Sequence, residues 1–151
     1  MIIISHRGNL EGPNIEKENK PEYIDAAIQA GYPVEVDLRS TNESFWLGHD
    51  TPQYQITSDW LYERKENLWI HIKDCQTAIA MSQKVDEYRF FCHQQDDFTL
   101  TSNGYVWVHD LTNDVDERCI IPLIDKESVL KYDQRICYAV CSDYVFLCER
   151  N

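Results

Sequence analysis

No stretch of this 151-residue chain approaches the roughly 18 consecutive apolar residues that a membrane-spanning helix needs. The expectation is therefore a soluble, cytoplasmic chain without stable membrane insertion. The opening MIIISHRGN has neither a basic leader nor a long apolar core, and it reads as a buried strand rather than a secretion signal. Basic residues are scarce as well. The 14 Lys and Arg face 26 Asp and Glu, and the resulting formal charge of −12 argues against non-specific contact with nucleic acid or an anionic membrane. Any phosphate-bearing ligand must then be met by a local positive site. No CxxC pair occurs among Cys75, Cys92, Cys119, Cys137, Cys141 and Cys148, so these are expected to be reduced and mostly buried. Cys137, Cys141 and Cys148 lie close in sequence, but placing the first two on a strand and its following loop weakens a zinc assignment. There is no internal repeat, low-complexity segment or linker, which leaves a single domain over 1–151.

What is present is ample material for a core: 43% hydrophobic residues, with four Trp, nine Tyr and five Phe. Short apolar runs recur at 2–5, 34–38, 45–49, 68–73, 89–93, 105–109, 119–124 and 136–141. Between several of them lie helical patterns. PEYIDAAIQAG has Pro21 at its start and Gly31 as a stop, SDWLYERK offers Ser58 or Asp59 as a cap, and DCQTAIAMSQKVDEY is the longest helical stretch. Eight runs alternating with helices or loops predict an α/β fold, a small (β/α)8 TIM-type barrel. Such barrels take about 250 residues, so several outer helices must be reduced or missing, most of all around QQDDFTLTSNG and LTNDVDER. Exposed strands where helices are lost would favour a homodimer.

Within this frame the run VEVDLR sets Glu35 and Asp37 one residue apart, so both carboxylates project to one side of a strand. Buried together they need a positive partner, and a divalent cation is the simplest one. His6 and Arg7 follow the first run, His49 and Asp50 end the third, and His71 and Lys73 lie on the fourth. In a parallel sheet all of them gather at the carboxyl ends of the strands, the face where catalytic groups collect. Taken singly, a strand histidine is commonly structural and an ExD pair commonly a solvated face. Four such features on successive strands make a site.

The residue types suit phosphodiester cleavage: carboxylates for a hard cation, two histidines for general acid and base, Arg7 and Lys73 for developing negative charge. His93, His109 and Asp110 also fall at strand ends, and His109–Asp110, which repeats the HD pattern, is read as structural or substrate-facing. Trp46, Trp69 and Trp107 are expected to point outward into the packing layer.

The set ISHRGN (4–9), KENKPEYIDAAIQAG (17–31), VEVDLR (34–39), FWLGHDTP (45–52) and LWIHIK (68–73) resembles the glycerophosphodiester phosphodiesterase family in order and spacing, over about half of the chain. The resemblance implies a TIM barrel in which His6 and His49 perform acid–base catalysis and Glu35 and Asp37 bind the metal, while Glu18 and Asn19 lie near metal or phosphate. Where the family usually supplies a further carboxylate, this chain has His71. As a neutral nitrogen ligand it would shift preference from Mg²⁺ or Ca²⁺ towards Mn²⁺ or Zn²⁺. Ser142 and Asp143 stand where family members often carry a T-D pair.

The implied activity is metal-dependent hydrolysis of a glycerophosphodiester-like or sugar- or lipid-derived phosphodiester, a role in lipid metabolism among them. The alternatives are a degenerate barrel that binds a phosphorylated ligand without turnover, and a lyase that releases a cyclic phosphate.

Overall fold

Strand Ile2–His6 (β1) runs parallel to Val34–Thr41 (β2), joined by helix Pro21–Gln29 (α1). Pro21 opens α1 and Gly31, at φ 98°, stops it, as its sequence pattern predicts. The computed structural model describes residues 1–41, 44–133 and 136–151. Only residues 42 and 43 separate β2 from Ser44–Leu47 (β3), too few for the crossover that a parallel strand requires. β3 therefore returns antiparallel to β2, and Tyr54–Ile56 (β4) pairs antiparallel to β3.

Helix Ser58–Arg64 (α2) follows, capped not by Ser58 or Asp59 but by the Thr57 hydroxyl, which accepts from Trp60 N at 3.0 Å. Strand Leu68–Ile72 (β5) is parallel to β2 along its whole length. Helix Cys75–Met81 (α3), capped by Asp74, covers half of the helical pattern in 74–88. Turns from Ser82 onward bring Tyr88 into the core beside Met81. The remaining elements are strands Phe90–Cys92 (β6), Phe98–Leu100 (β7), Val106–Val108 (β8) and Cys119–Pro122 (β9), helix Lys126–Lys131 (α4), strand Ala139–Ser142 (β10) and helix Val145–Cys148 (α5).

The expected (β/α)8 TIM barrel does not form. The ten strands among the described residues make one mixed sheet, curled into a half-barrel and accompanied by five short helices. Its parallel strands pair in the order β6-β5-β2-β1-β10-β9-β8, with the β3-β4 hairpin on β2 and β7 antiparallel to β8. Among the described residues no ladder joins β6 to β7 or β8, so the ring stays open. Residues 93–105 carry no helix, only the three-residue β7, and so lack a crossover to complete the cylinder.

Strand alternation sorts side chains between two faces. Val34, Val36 and Leu38 of β2 and Leu68, Ile70 and Ile72 of β5 face outward onto α1, α2 and α3, while Val140, Ile121 and Val129 build a second outer cluster near α4 and α5. The concave side holds Ile4, Trp69, Phe91, Trp107, Ile120 and Cys141. Trp69 and Trp107 are thus inside, contrary to expectation, and Trp46 lies on the face of β3 opposite the outward-packed Phe45 and Leu47. The reason is parity: Trp69 precedes His71 by two residues, and Trp107 precedes His109 by two, so each shares its histidine's face. Cys119, Cys141 and Cys148 are buried free thiols, Cys75 and Cys92 exposed ones, and no described helix is long and apolar enough to cross a membrane.

Candidate active site

The turn after β1 folds back on itself, with Asn9 N donating to His6 O at 2.9 Å. It needs left-handed backbone at Arg7 (φ 54°) and Gly8 (φ 93°), and a Cβ on Gly8 would sit 2.8 Å from the Tyr23 ring. That turn sets His6 beside Glu35, its register partner on β2, and Arg7 beside Asp37. The β2–β3 hairpin then brings the chain back, and Gly48 N donates to Asp37 O at 3.0 Å, which sets His49 at the same mouth. Gly48 (φ 150°) is also obligatory, since a Cβ there would meet Thr51 O at 2.1 Å. A cavity of about 710 Å³ opens here, walled by His6, Arg7, Glu35, His49, His71 and Lys73. All six were singled out by sequence. Glu18, Asn19 and Asp37 stand behind that wall.

Glu35 and Asp37 are 2% and 0% exposed, so their charge must be answered locally. Asn19 braces Asp37 from both sides, donating from Nδ2 to Oδ2 at 2.7 Å and accepting from the Asp37 backbone N–H at 2.9 Å. Asn19 adopts φ 62° to do so. Arg7 Nε lies 2.8 Å from Asp37 Oδ2 as an ion pair whose N–H is not aimed at the oxygen, and Arg7 Nη1 donates to Glu18 Oε2 at 3.1 Å. Lys73 Nζ is 3.5 Å and His71 Nδ1 3.4 Å from Asp37 Oδ1, while His71 Nδ1 is 3.5 Å from Glu35 Oε1. Burial favours the protonated form of Asp37, but His71, Arg7, Asn19 and Lys73 outweigh it and hold the carboxyl well below its ordinary range.

His71 Nε2 donates to the carbonyl of His93 at 3.0 Å, which leaves Nδ1 turned to the two carboxylates. Burial lowers its affinity for a proton, yet Asp37 and Glu35 prevail and push it up to about 9. Glu35, Asp37 and His71 each offer a ligand atom within 4.8 Å of the others, a group that could hold a metal ion. Glu35 Oε2 and Asp37 Oδ1 are buried without a hydrogen-bond partner. Two orphaned anionic oxygens beside an imidazole nitrogen fit a divalent cation.

His6 is held by a residue to which the sequence motifs gave no role. Its Nδ1 donates to Asp143 Oδ1 at 2.7 Å, and Asn9 fixes the same oxygen from 2.8 Å. Nε2 is left facing the cavity, 3.8 Å from Glu35 Oε2. Burial lowers the His6 pKa, but the Asp143 hydrogen bond and the Glu35 charge raise it overall. Asp143 follows β10, which pairs directly with β1, so the ring order of the strands brings together residues 137 positions apart.

His49 is more open, its side chain 42% exposed and its Nδ1 2.7 Å from Asp50 Oδ1. Arg39 clamps its loop, donating to Gly48 O at 3.0 Å and to His49 O at 2.5 Å. Arg39 was also missed, although it shares the face of Glu35 and Asp37 by simple alternation. The far wall carries His93 and His109, their rings stacked with centroids 3.3 Å apart.

Comparison of the chain with protein-family models, curated proteins and solved structures returns no match in any of the three.

Proposed function

We propose that the protein is a metal-dependent phosphodiesterase of the glycerophosphodiester phosphodiesterase kind, acting on a small phosphodiester by acid–base catalysis. The observation that carries the proposal is the pair of buried carboxylate oxygens on Glu35 and Asp37 that accept no hydrogen bond and meet His71, Lys73 and the Asp143-held His6 only at 3.4–3.8 Å. Charged oxygens at that depth cost several kcal/mol unless paired. Glu35, Asp37 and His71 would hold a divalent cation, with Mn²⁺ or Zn²⁺ suited to the nitrogen donor and Mg²⁺ or Ca²⁺ to the oxygens. When bound, the ion supplies Lewis-acid polarisation of a phosphoryl oxygen.

The chain's own side chains do the rest. Asp143 keeps the His6 proton on Nδ1, so Nε2 is the atom that exchanges a proton at the cavity. His49, with Nδ1 engaged by Asp50, offers its other ring nitrogen from the opposing loop. One histidine takes the proton of the attacking hydroxyl and the other returns one to the leaving alcohol, a division of work worth about 10²–10⁴-fold in rate. Arg7 and Lys73 place positive charge along the wall where the phosphoryl oxygens gather negative charge. Asn19 and Glu18 act one layer back, fixing Asp37 and Arg7.

A second reading has its own support. Arg7, Lys73 and His71 already approach Asp37, so protein cations answer part of its charge, as in a site that binds a phosphorylated ligand without turning it over. Hydrolysis of bis(p-nitrophenyl) phosphate and of glycerophosphodiesters, with Mg²⁺, Ca²⁺, Mn²⁺ or EDTA, decides between them. The phosphodiesterase proposal expects turnover that needs the ion and is lost in His6→Ala. Turnover that persists in EDTA or in His6→Ala rejects it, and ion binding without turnover favours the second reading. Phosphorus NMR of the product separates a hydrolase from a lyase that releases a cyclic phosphate.

A further inference from the structure

The helices cover this sheet unevenly. Outward side chains of β2, β5, β9 and β10 are buried in clusters with α1 to α5, whereas β7 carries Phe98 and Leu100 with 58% and 69% of their surface exposed. The register pairs Phe98 with Val108 and Leu100 with Val106, so these four share the outer face, while Thr99 and Trp107 share the inner one. Beside them a groove of about 450 Å³ is lined by Phe98, Val106 and Val115, with Asp114, Asp116 and Arg118 along its rim. Its volume lies within the ~300–1,000 Å³ of pockets that hold ligands. Glu117, also exposed, continues the acidic run in sequence.

An apolar groove with a rim of one dominant sign selects its occupant. A second copy docked face to face would set this acidic rim against itself, on chains that each carry a formal charge of −12. An anionic membrane is repelled by the same carboxylates. We propose that the groove docks a segment of another protein that inserts apolar side chains and flanks them with lysine or arginine. Phe98 and Leu100 supply the contact area, and Asp114 and Asp116 meet the flanking charges. This surface lies outside the phosphodiesterase cavity and does not rest on that activity.

The test uses the full chain and three fluorescein-labelled 18-residue helical peptides read by anisotropy: one with a leucine face and a lysine face, one with leucine and glutamate, and one with lysine and glutamine but no apolar face. The leucine–lysine peptide is expected to bind at least tenfold more tightly than either control. Phe98→Ser combined with Leu100→Ser should weaken it at least tenfold, and Asp114→Asn with Asp116→Asn should weaken it and flatten its salt dependence. Equal binding of the lysine–glutamine peptide overturns the proposal, because charge alone would then suffice. So does undiminished binding by the serine variant, no binding at all, or self-association of the wild type in sedimentation that Phe98→Ser abolishes.

Discussion

The two walls of the candidate-site cavity carry the same ring in opposite electrical settings. On the wall of β1, β2 and β5, His71 stands beside two carboxylates that overcome its burial and push it up to about 9. On the wall of β6 and β8, His93 and His109 stack on each other; burial and then the neighbouring imidazoles push both down, His109 to about 4. In sequence the three look alike, each a histidine within or at the end of an apolar run. What separates them is the strand next door. β2 presents Glu35 and Asp37 to β5, whereas His93 and His109 face each other, and β6 and β8 carry the stacked Phe91 and Trp107 two residues before them. Chemistry in this fold is set by lateral neighbours rather than by local sequence.

That contrast can be broken or sharpened by experiment. The largest effect is expected from His6→Ala, which should cut phosphodiester turnover by about 10²–10⁴-fold, while His109→Asn should cost far less than His6→Ala in the same steady-state assay. Equal losses would erase the distinction between the walls. Next in size, Asp37→Ala removes the carboxylate that Arg7, Lys73 and a protonated His71 share, leaving Glu18 and Glu35 to answer Arg7 and His71 in part, and urea unfolding should show a loss of about 3–5 kcal/mol.

The walls should also respond to pH with opposite sign in the metal-free protein. His71 is raised from its ordinary 6.5 to about 9, so its stabilising contribution is full below 6.5 and is lost as pH rises through 9. His109 is depressed from 6.5 to about 4, so its contribution is full above 6.5 and is lost as pH falls through 4. Melting temperatures from pH 4 to 10 should therefore fall on both sides, His71→Gln flattening the alkaline limb and His109→Gln the acid one. A His71 variant that flattens the acid limb instead would reverse the assignment. The smallest effect is expected at Phe98→Ser, within about 0.5 kcal/mol of wild type in urea, because the ring is 58% exposed. A loss above 2 kcal/mol would mean that this face is covered.

The site was more legible than the fold. Period-two alternation alone places Glu35 and Asp37 on one side of a strand, and the histidines are found because His6 follows the run 2–5, His49 lies in 45–49 and His71 lies within 68–73. Strand direction is not written in alternation. Eight alternating runs predict a parallel strand at 45–49, but the six residues between it and 34–38 are too few for a crossover, and that spacing is the signal for the hairpin. Ring closure was equally beyond reach, since it depends on whether residues 93–105 supply a crossover, and they form β7 instead. Trp69 and Trp107 were misplaced by an error of parity that counting from His71 and His109 corrects. Arg39 was readable by the same count. Asp143 stands out in sequence only through the T-D resemblance; its contact with His6 is not legible, because the two lie 137 residues apart and only the β1–β10 pairing joins them.

The central claim is that Glu35, Asp37 and His71 form a cation site, and calorimetric titration of Mn²⁺ into the metal-free protein at pH 8 tests it most directly. The account predicts one ion bound per chain, with protons released as His71 gives up its own, and no binding in Glu35→Ala, whose circular dichroism should remain that of the wild type. Undetectable binding by the wild type, or equal binding by a folded Glu35→Ala, would contradict it.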